Sequence, residues 1–159
     1  MESSLQPIVR PARAEDSGAL SELFGQLGFP CSPEELVERL GLFANLALVV
    51  ALEGSVRGVI TLNVMPVLHR PAPVGRISAL VVAANHRGLG LGRLLVAAAE
   101  SELALRGCGL VEVTSNVQLE QAHAFYKAAG YELTSYRFKK ELGAAPNNSS
   151  KPTPLRGAA

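Results

Sequence analysis

Three consecutive stretches decide the fold of this chain: Arg76-Ile77-Ser78-Ala79-Leu80-Val81-Val82, then Asn85-His86-Arg87-Gly88-Leu89-Gly90-Leu91-Gly92-Arg93, then Leu94, Leu95, Ala98, Leu103 and Leu105. The first is apolar and β-branched and predicts a strand; the last has helical spacing and closes at Gly107. Between them lie three alternating glycines with an arginine on either side. Glycine has no Cβ, so backbone N–H groups at the head of a helix stand bare and can cradle anionic oxygens, helped by the helix dipole. Arg87 and Arg93 add charge-assisted donors, which suit a pyrophosphate better than a neutral ligand. The alternative use of the same glycines is a plain change of chain direction. The spacing is not the dinucleotide fingerprint G-x-G-x-x-G, because Arg93 stands where the third glycine belongs, and it lacks the Gly-Lys-Ser/Thr of a Walker loop.

Outward from this unit the chain alternates between the two periodicities. Upstream, residues 8–10 read as a strand, and Leu20, Leu23, Phe24 and Leu27 form one helix face that Gly28 and Pro30 end. Ser32-Pro33-Glu34-Glu35 is a capping box with proline at the first helical position, opening a helix through Leu36, Val37 and Leu40. Residues 45–53 and 56–64 are β-rich and flank Glu53-Gly54-Ser55, predicting a hairpin; Pro66, Pro71 and Pro73 keep the next stretch irregular. Downstream, residues 110–114 predict a strand, 119–129 a helix ended by Gly130, and 131–142 a final extended strand. The order β-α-α-β-β-β-α-β-α-β predicts an α/β domain with one mixed sheet and helices on its faces.

The length of 159 residues suits one domain, and 48% hydrophobic against 18% charged residues supplies a core and excludes a disordered chain or a coiled coil. Aromatics are 5% with no Trp, and the formal net charge is +1, so neither stacking platforms nor a bulk field favour nucleic acid or an anionic membrane. The partners expected are therefore neither nucleic acid nor membrane. Charge is unevenly placed: between Glu53 and Glu100 there is no acidic residue, while Arg57, Arg70, Arg76, Arg87 and Arg93 fall there. Asp16 is the sole aspartate, which removes the usual hydrolase triads, Walker B sites and EF-hand loops. Cys31 and Cys108 give neither a disulfide framework nor a metal spacing, so no metal is expected. No apolar run nears the ~18 residues of a membrane span, and Met1-Glu2-Ser3-Ser4-Leu5-Gln6-Pro7 lacks the regions of a signal peptide, so a soluble, cytoplasmic protein is expected. Residues 1–142 read as the domain and 143–159, rich in Ala, Pro, Asn, Ser and Gly, as a flexible C-terminal tail.

Arg87-Gly88-Leu89-Gly90-Leu91-Gly92 resembles the R/Q-x-x-G-x-G/A pyrophosphate loop of the GNAT acetyltransferase superfamily. Asn116, Ala122-His123-Ala124-Phe125-Tyr126 and Gly130-Tyr131 resemble the N…A-x-x-F-Y-x-x-x-G-F/Y segment of the same superfamily, and the resemblance extends over residues 8–142. Thr114-Ser115-Asn116, Ala122-His123, Phe125-Tyr126 and Tyr136-Arg137-Phe138 look closest to aminoalkylphosphonate N-acetyltransferases. The resemblance implies the GNAT fold, with a mostly antiparallel sheet flanked by helices on both faces. It also implies acetyl transfer from acetyl-CoA, as co-substrate, to a primary amine of a small molecule by direct attack in a ternary complex. Carried over residue by residue, the backbone of Leu80, Val81 and Val82 would pair with the pantetheine arm. Arg87, Gly88, Leu89, Gly90, Leu91, Gly92 and Arg93 would hold the pyrophosphate, Asn116 would contact the CoA arm, and Tyr126 would protonate or hydrogen-bond the departing thiolate. A phenol with a pKa near 10 stays protonated at neutral pH and suits that last role. The bland alternatives are that Tyr126 packs beside Phe125 and that Asn116 caps the following helix.

The general base departs from the family pattern. Many relatives carry a Glu on the strand before the glycine loop, and Ala79 stands in the matching place here. An amine with a pKa near 10.4 is mostly ammonium at pH 7, so its proton must go somewhere. His123, three residues before Tyr126 and on nearly the same helix face, is the candidate base; its bland alternative is orienting a neighbouring backbone. His69 lies in the proline loop and His86 borders the glycine loop. Arg70 and Arg76 suggest an anionic amine as acceptor. Two readings compete: acetylation of a peptide N-terminus or lysine, and a CoA-binding sensor or interaction module that has lost turnover. A homodimer fits the habits of such relatives and is not decided by these residues.

Overall fold

Alternating apolar residues at Ile8–Pro11 (β1), Ala47–Leu52 (β2), Ser55–Met65 (β3), Val74–Val82 (β4) and Leu110–Val113 (β5) build one five-stranded sheet in the computed structural model, which describes residues 6–143. Strand order in space follows strand order in sequence; the first three pairings are antiparallel and β4–β5 is parallel. A parallel pair needs a crossover, and helix α3 (Leu91–Leu105) supplies it. Helices α1 (Ser17–Leu27) and α2 (Pro33–Leu40) precede β2, and α4 (Glu120–Ala128) follows β5. Among the described residues no helix is long and apolar enough to cross a membrane. The expected tail beyond Gly143 lies outside the described residues.

The local signals work as chemistry. Ser32 Oγ accepts from the Glu35 N–H at 3.2 Å while the Ser32 N–H donates to the Glu35 carboxylate at 2.9 Å, so α2 starts on a closed capping box. Glu53 and Gly54 take φ of 54° and 75°, the two positive values that a tight two-residue hairpin demands, and they join β2 to β3.

The pleat then sorts side chains between two cores. Leu48 and Val50 on β2, Ile60 and Leu62 on β3, and Ile77 on β4 face α3 through Leu91, Leu95, Val96, Ala99 and Leu103. Val49, Val59 and Val81 face the other way, against Leu20, Leu23 and Leu36 of α1 and α2. Helices thus cover both faces, as expected. Between α1 and the sheet edge, Asp16 is buried and its carboxylate accepts both arms of Arg10 at 2.7 and 2.8 Å and the Arg13 N–H at 2.8 Å. The sole aspartate therefore anchors the β1–α1 turn, and the Arg10 hydrogen bonds hold its carboxyl below the ordinary aspartate value.

Two expectations are corrected. The helix after the glycine loop begins at Leu91, because Gly90 at φ 80° is its N-cap and Leu91 is already buried. Residues 131–142 do not form a strand: no pairing among the described residues involves them, and residues 132–143 are all exposed. A strand is defined by its neighbour, and this stretch has β-type composition with no ladder partner among the described residues.

Candidate active site

The site begins with a register fault. On β3–β4, Thr61 pairs with Ala79 but the next residue, Leu62, pairs with Ile77, so Ser78 is an extra residue bulged out of β4. The bulge reverses which side chains face which core: Ile77 faces α3, and after the fault Leu80 and Val82 do so while Val81 faces α1. The Ser78 hydroxyl lies 3.1 Å from the Thr61 carbonyl and 2.9 Å from Thr61 Oγ1, which fastens the fault in place.

Strand β5 pairs with β4 only along Val74–Ile77, opposite Leu110–Val113. β4 runs on to Val82 after β5 has ended, so Leu80, Val81 and Val82 have no neighbour on the β5 side. Backbone polar groups on that side of the stretch have no ladder partner among the described residues, and an extended ligand could bind them as an added strand would be bound. At the far end of this stretch, the Ala83 N–H is tied to the Arg57 carbonyl at 2.8 Å and the Ala84 N–H to Gln26 Oε1 at 3.0 Å. The chain then turns through a short 3-10 segment, Ala84–His86, into the glycine loop.

Gly88 and Gly90 take φ of 78° and 80°, a conformation that costs an L-residue about 1–2 kcal/mol. Gly90 is the N-cap of the 15-residue α3 and offers no side-chain oxygen, so the first N–H groups of that helix have no side-chain cap. A Cβ on Gly88 or Gly90 would meet nothing within 4 Å; the space beside them is open. Gly92 serves a different end. A Cβ there would lie 3.4 Å from the Phe125 ring, an ordinary contact, so Gly92 lies where α4 packs against the first turn of α3. Arg87 and Arg93 are exposed, and Arg87 Nε donates to the Val82 carbonyl at 3.2 Å, linking the loop to the end of β4. Bare helix N–H groups, positive-φ glycines and two exposed guanidinium groups fit a pyrophosphate by donor chemistry and charge.

Helix α4 presents Tyr126, half-buried and edge-on to both Phe125 (ring centroids 5.2 Å apart) and Tyr131 (5.8 Å). Burial alone pushes its phenol above the ordinary tyrosine value, so it is a proton donor across the neutral range. Tyr131 donates to Glu100 of α3 at 2.9 Å and its N–H donates to the Tyr126 carbonyl at 3.0 Å, so the end of α4 is pinned onto α3. Burial, followed by the Glu100 hydrogen bond and charge, pushes the Tyr131 phenol far up.

The sequence model of the acetyltransferase (GNAT) family matches residues 18–131. The chain belongs to this family. Aminoalkylphosphonate N-acetyltransferase of Salmonella typhimurium is 38% identical over 89 residues, 56% of this chain and 58% of that protein, so the match spans little more than half of the curated relative. A Trypanosoma brucei acetyltransferase superposes with a TM-score of 0.74 at 25% identity, covering 86% of this chain and 100% of that one. An aminoglycoside N-acetyltransferase solved in complex with CoA superposes with a TM-score of 0.78 over 90% of this chain and 99% of that one; at 14% identity that likeness concerns the fold.

Within this GNAT framework the remaining sequence candidates fall in different places. Asn116 stands in the loop between β5 and α4, where its Oδ1 accepts the Gln118 N–H at 3.0 Å and its carbonyl accepts the Leu119 N–H at 3.0 Å. His123 Nε2 lies 2.8 Å from that same Asn116 carbonyl. A carbonyl only accepts, so Nε2 carries the hydrogen and only Nδ1 keeps a lone pair. His123 clamps the Asn116 loop onto the first turn of α4. Arg76 is engaged across β4–β5, 3.5 Å from the Glu112 carboxylate and 3.3 Å from Thr114 Oγ1. Arg70 lines a pocket of about 200 Å³ with Pro71, Pro73, Gly109 and Leu110, at the start of β4 and β5 and a strand length from the glycine loop. His86 Nδ1 lies 2.7 Å from Asn85 Oδ1 beside the loop. Sequence reasoning missed the Ser78 bulge, the Thr61–Ser78 contact and the Tyr131–Glu100 anchor. The bulge left one trace: the apolar phase of β4 shifts between Ile77 and Leu80. The Tyr131–Glu100 contact joins residues far apart in sequence and left none.

Proposed function

We propose that this GNAT protein is an acetyl-CoA-dependent N-acetyltransferase that acetylates the primary amine of a small molecule in a ternary complex. The observation that carries the reading is that β4 runs on past the end of its pairing with β5 at Ile77 and Val113, with the head of α3, which has no side-chain cap, beyond the unpaired stretch. An extended acyl carrier ending in a pyrophosphate matches both halves: Leu80, Val81 and Val82 for the arm, Gly88, Gly90 and the Arg87 and Arg93 guanidinium groups for the phosphates. The CoA complex of the aminoglycoside acetyltransferase with the same fold supports this choice of co-substrate.

In the reaction the amine nitrogen attacks the thioester carbonyl, the C–S bond breaks, the sulfur takes the Tyr126 proton, and the proton that the nitrogen gives up returns to the Tyr126 phenolate through solvent. Tyr126 suits its part because burial keeps the phenol protonated and its rings are held edge-on by Phe125 and Tyr131. Asn116 keeps its side-chain N–H groups available for the carrier arm while Oδ1 is engaged. β4 has no carboxylate, with Ala79 opposite Thr61, so the ammonium proton leaves through solvent in the cleft or through His123 Nδ1. The relative's activity makes an aminoalkylphosphonate the first acceptor to test. Arg76 is already paired with Glu112, so the anion would have to share or displace that contact. A cytoplasmic setting and a homodimer complete the reading.

The test is thiol release from acetyl-CoA across small amines, aminophosphonates and peptides, together with acetyl-CoA binding measured by calorimetry. Turnover with small amines is expected. Turnover with peptides alone would replace this reading with the peptide one. Tight binding with no turnover would favour a CoA sensor, for which the missing carboxylate at Ala79 is the supporting observation. Failure to bind acetyl-CoA would remove the proposal altogether.

A further inference from the structure

The Ala83 N–H donates to the Arg57 carbonyl of β3 at 2.8 Å. In a trans peptide unit the carbonyl of one residue and the N–H of the next point in opposite directions. The Val82 carbonyl therefore points away from β3, onto the side where the pairing with β5 has already ended. It is the last strand carbonyl on that edge before the chain turns through Ala84–His86, so an extended ligand lying along Leu80, Val81 and Val82 would use it. That oxygen already has a donor. Arg87 Nε lies 3.2 Å from it, close to the ~2.9 Å at which the N–H of an added strand would sit. A guanidinium there and a chain about 4.8 Å from β4 compete for one place.

Little else holds the Arg87 side chain. It is exposed, it makes no ion pair among the described residues, and no acidic residue occurs in the sequence between Glu53 and Glu100. The backbone before it is placed independently: the His86 N–H donates to the Ala83 carbonyl at 2.8 Å and the Ala84 N–H to Gln26 Oε1 at 3.0 Å. The side chain can thus leave Val82 without moving the turn. A guanidinium bonds more strongly to a phosphate, where both partners are ionised, than to a neutral carbonyl. An anion at the head of α3 offers Arg87 the better partner.

We propose that Arg87 is a latch on the Val82 carbonyl. With the anion site empty it closes the end of the open β4 edge; a pyrophosphate at Gly88 and Gly90 draws it away and frees that oxygen for the carrier arm. The inference rests on the acetyl-CoA reading and gives Arg87 a second role within it. Phosphates and arm then bind cooperatively, and by linkage each favours the other by the same factor. Release of one intramolecular hydrogen bond sets that factor at about fivefold. A thioester that carries the arm without the phosphates meets a closed edge, so the latch discriminates in favour of the whole carrier.

The experiment is calorimetry on the full chain with S-acetylpantetheine, which has the arm without the phosphates, and inorganic pyrophosphate, alone and together, with acetyl-CoA titrated alongside. Pyrophosphate is expected to tighten acetylpantetheine about fivefold, and acetylpantetheine to tighten pyrophosphate equally. Arg87→Ala is expected to bind acetylpantetheine about fivefold more tightly than wild type, to bind pyrophosphate more weakly and to lose the coupling. Arg93→Ala removes a phosphate donor and leaves the latch, so it weakens pyrophosphate and keeps the coupling. Acetylpantetheine that binds equally with and without pyrophosphate, or not at all in its presence, overturns the latch while acetyl-CoA still binds. So does an Arg87→Ala variant that keeps the coupling or fails to tighten acetylpantetheine. A chain that binds no acetyl-CoA removes the acetyl-CoA reading, and the latch with it.

Discussion

Replacing Tyr126 with phenylalanine removes one oxygen and leaves the packing that positions it. The Phe125 and Tyr131 rings stand edge-on at 5.2 and 5.8 Å from the Tyr126 ring, contacts that a phenyl group keeps. The phenol is raised by burial, with no side-chain hydrogen bond contributing, so its loss leaves no partner stranded and costs under about 0.5 kcal/mol of stability. Catalysis is affected differently. A thioester sulfur is a poor acceptor in the ground state and a strong one as thiolate charge develops, so the hydrogen bond is worth most at the transition state. A bond to a charged group contributes about 1.5–3 kcal/mol, which at 1.4 kcal/mol per decade predicts a fall in kcat of roughly 10–150-fold with KM nearly unchanged. Because burial raises the phenol above the ordinary tyrosine value, any alkaline loss of activity that comes from this group is expected at higher pH than for an exposed tyrosine. Steady-state thiol release with and without the substitution, alongside thermal melting, reads all three quantities. A kcat within two-fold of wild type would refute the assignment of Tyr126 as the proton donor. A matched loss of melting temperature would show that the residue is structural.

Two further outcomes are expected. With no carboxylate on β4, kcat/KM should track the free-amine fraction, rising about tenfold per pH unit below the amine pKa, and Ala79→Glu should raise activity near pH 7; a flat wild-type profile would point to an internal base. Asp16→Asn, which breaks the paired carboxylate that Arg10 grips at 2.7 and 2.8 Å, should cost about 3 kcal/mol at pH 7 by denaturant unfolding. Since the folded carboxyl sits below the ordinary value of 3.8, that stabilisation is complete above this pH and disappears as pH falls through the lower folded value. The gap between wild type and variant should therefore narrow below pH 4, and a constant gap would contradict the ion-pair account.

The sequence by itself determined everything that depends on near neighbours. The capping box at Ser32, the hairpin at Glu53-Gly54, the stop at Gly28 and the strand–glycine loop–helix unit were all legible, because each is satisfied by hydrogen bonds or dihedral preferences within a few residues. Tertiary structure alone decided what depends on pairing across distance. It moved the apolar phase of β4 through the Ser78 bulge, ended β5 at Val113 so that Leu80, Val81 and Val82 have no strand on the β5 side, and engaged Arg76 with Glu112 and His123 with the Asn116 carbonyl. Residues 131–142 mark the boundary between the two. Their composition specifies a β-strand, but a strand is half of a ladder, and which edge completes it is a property of the assembled surfaces and not of the segment.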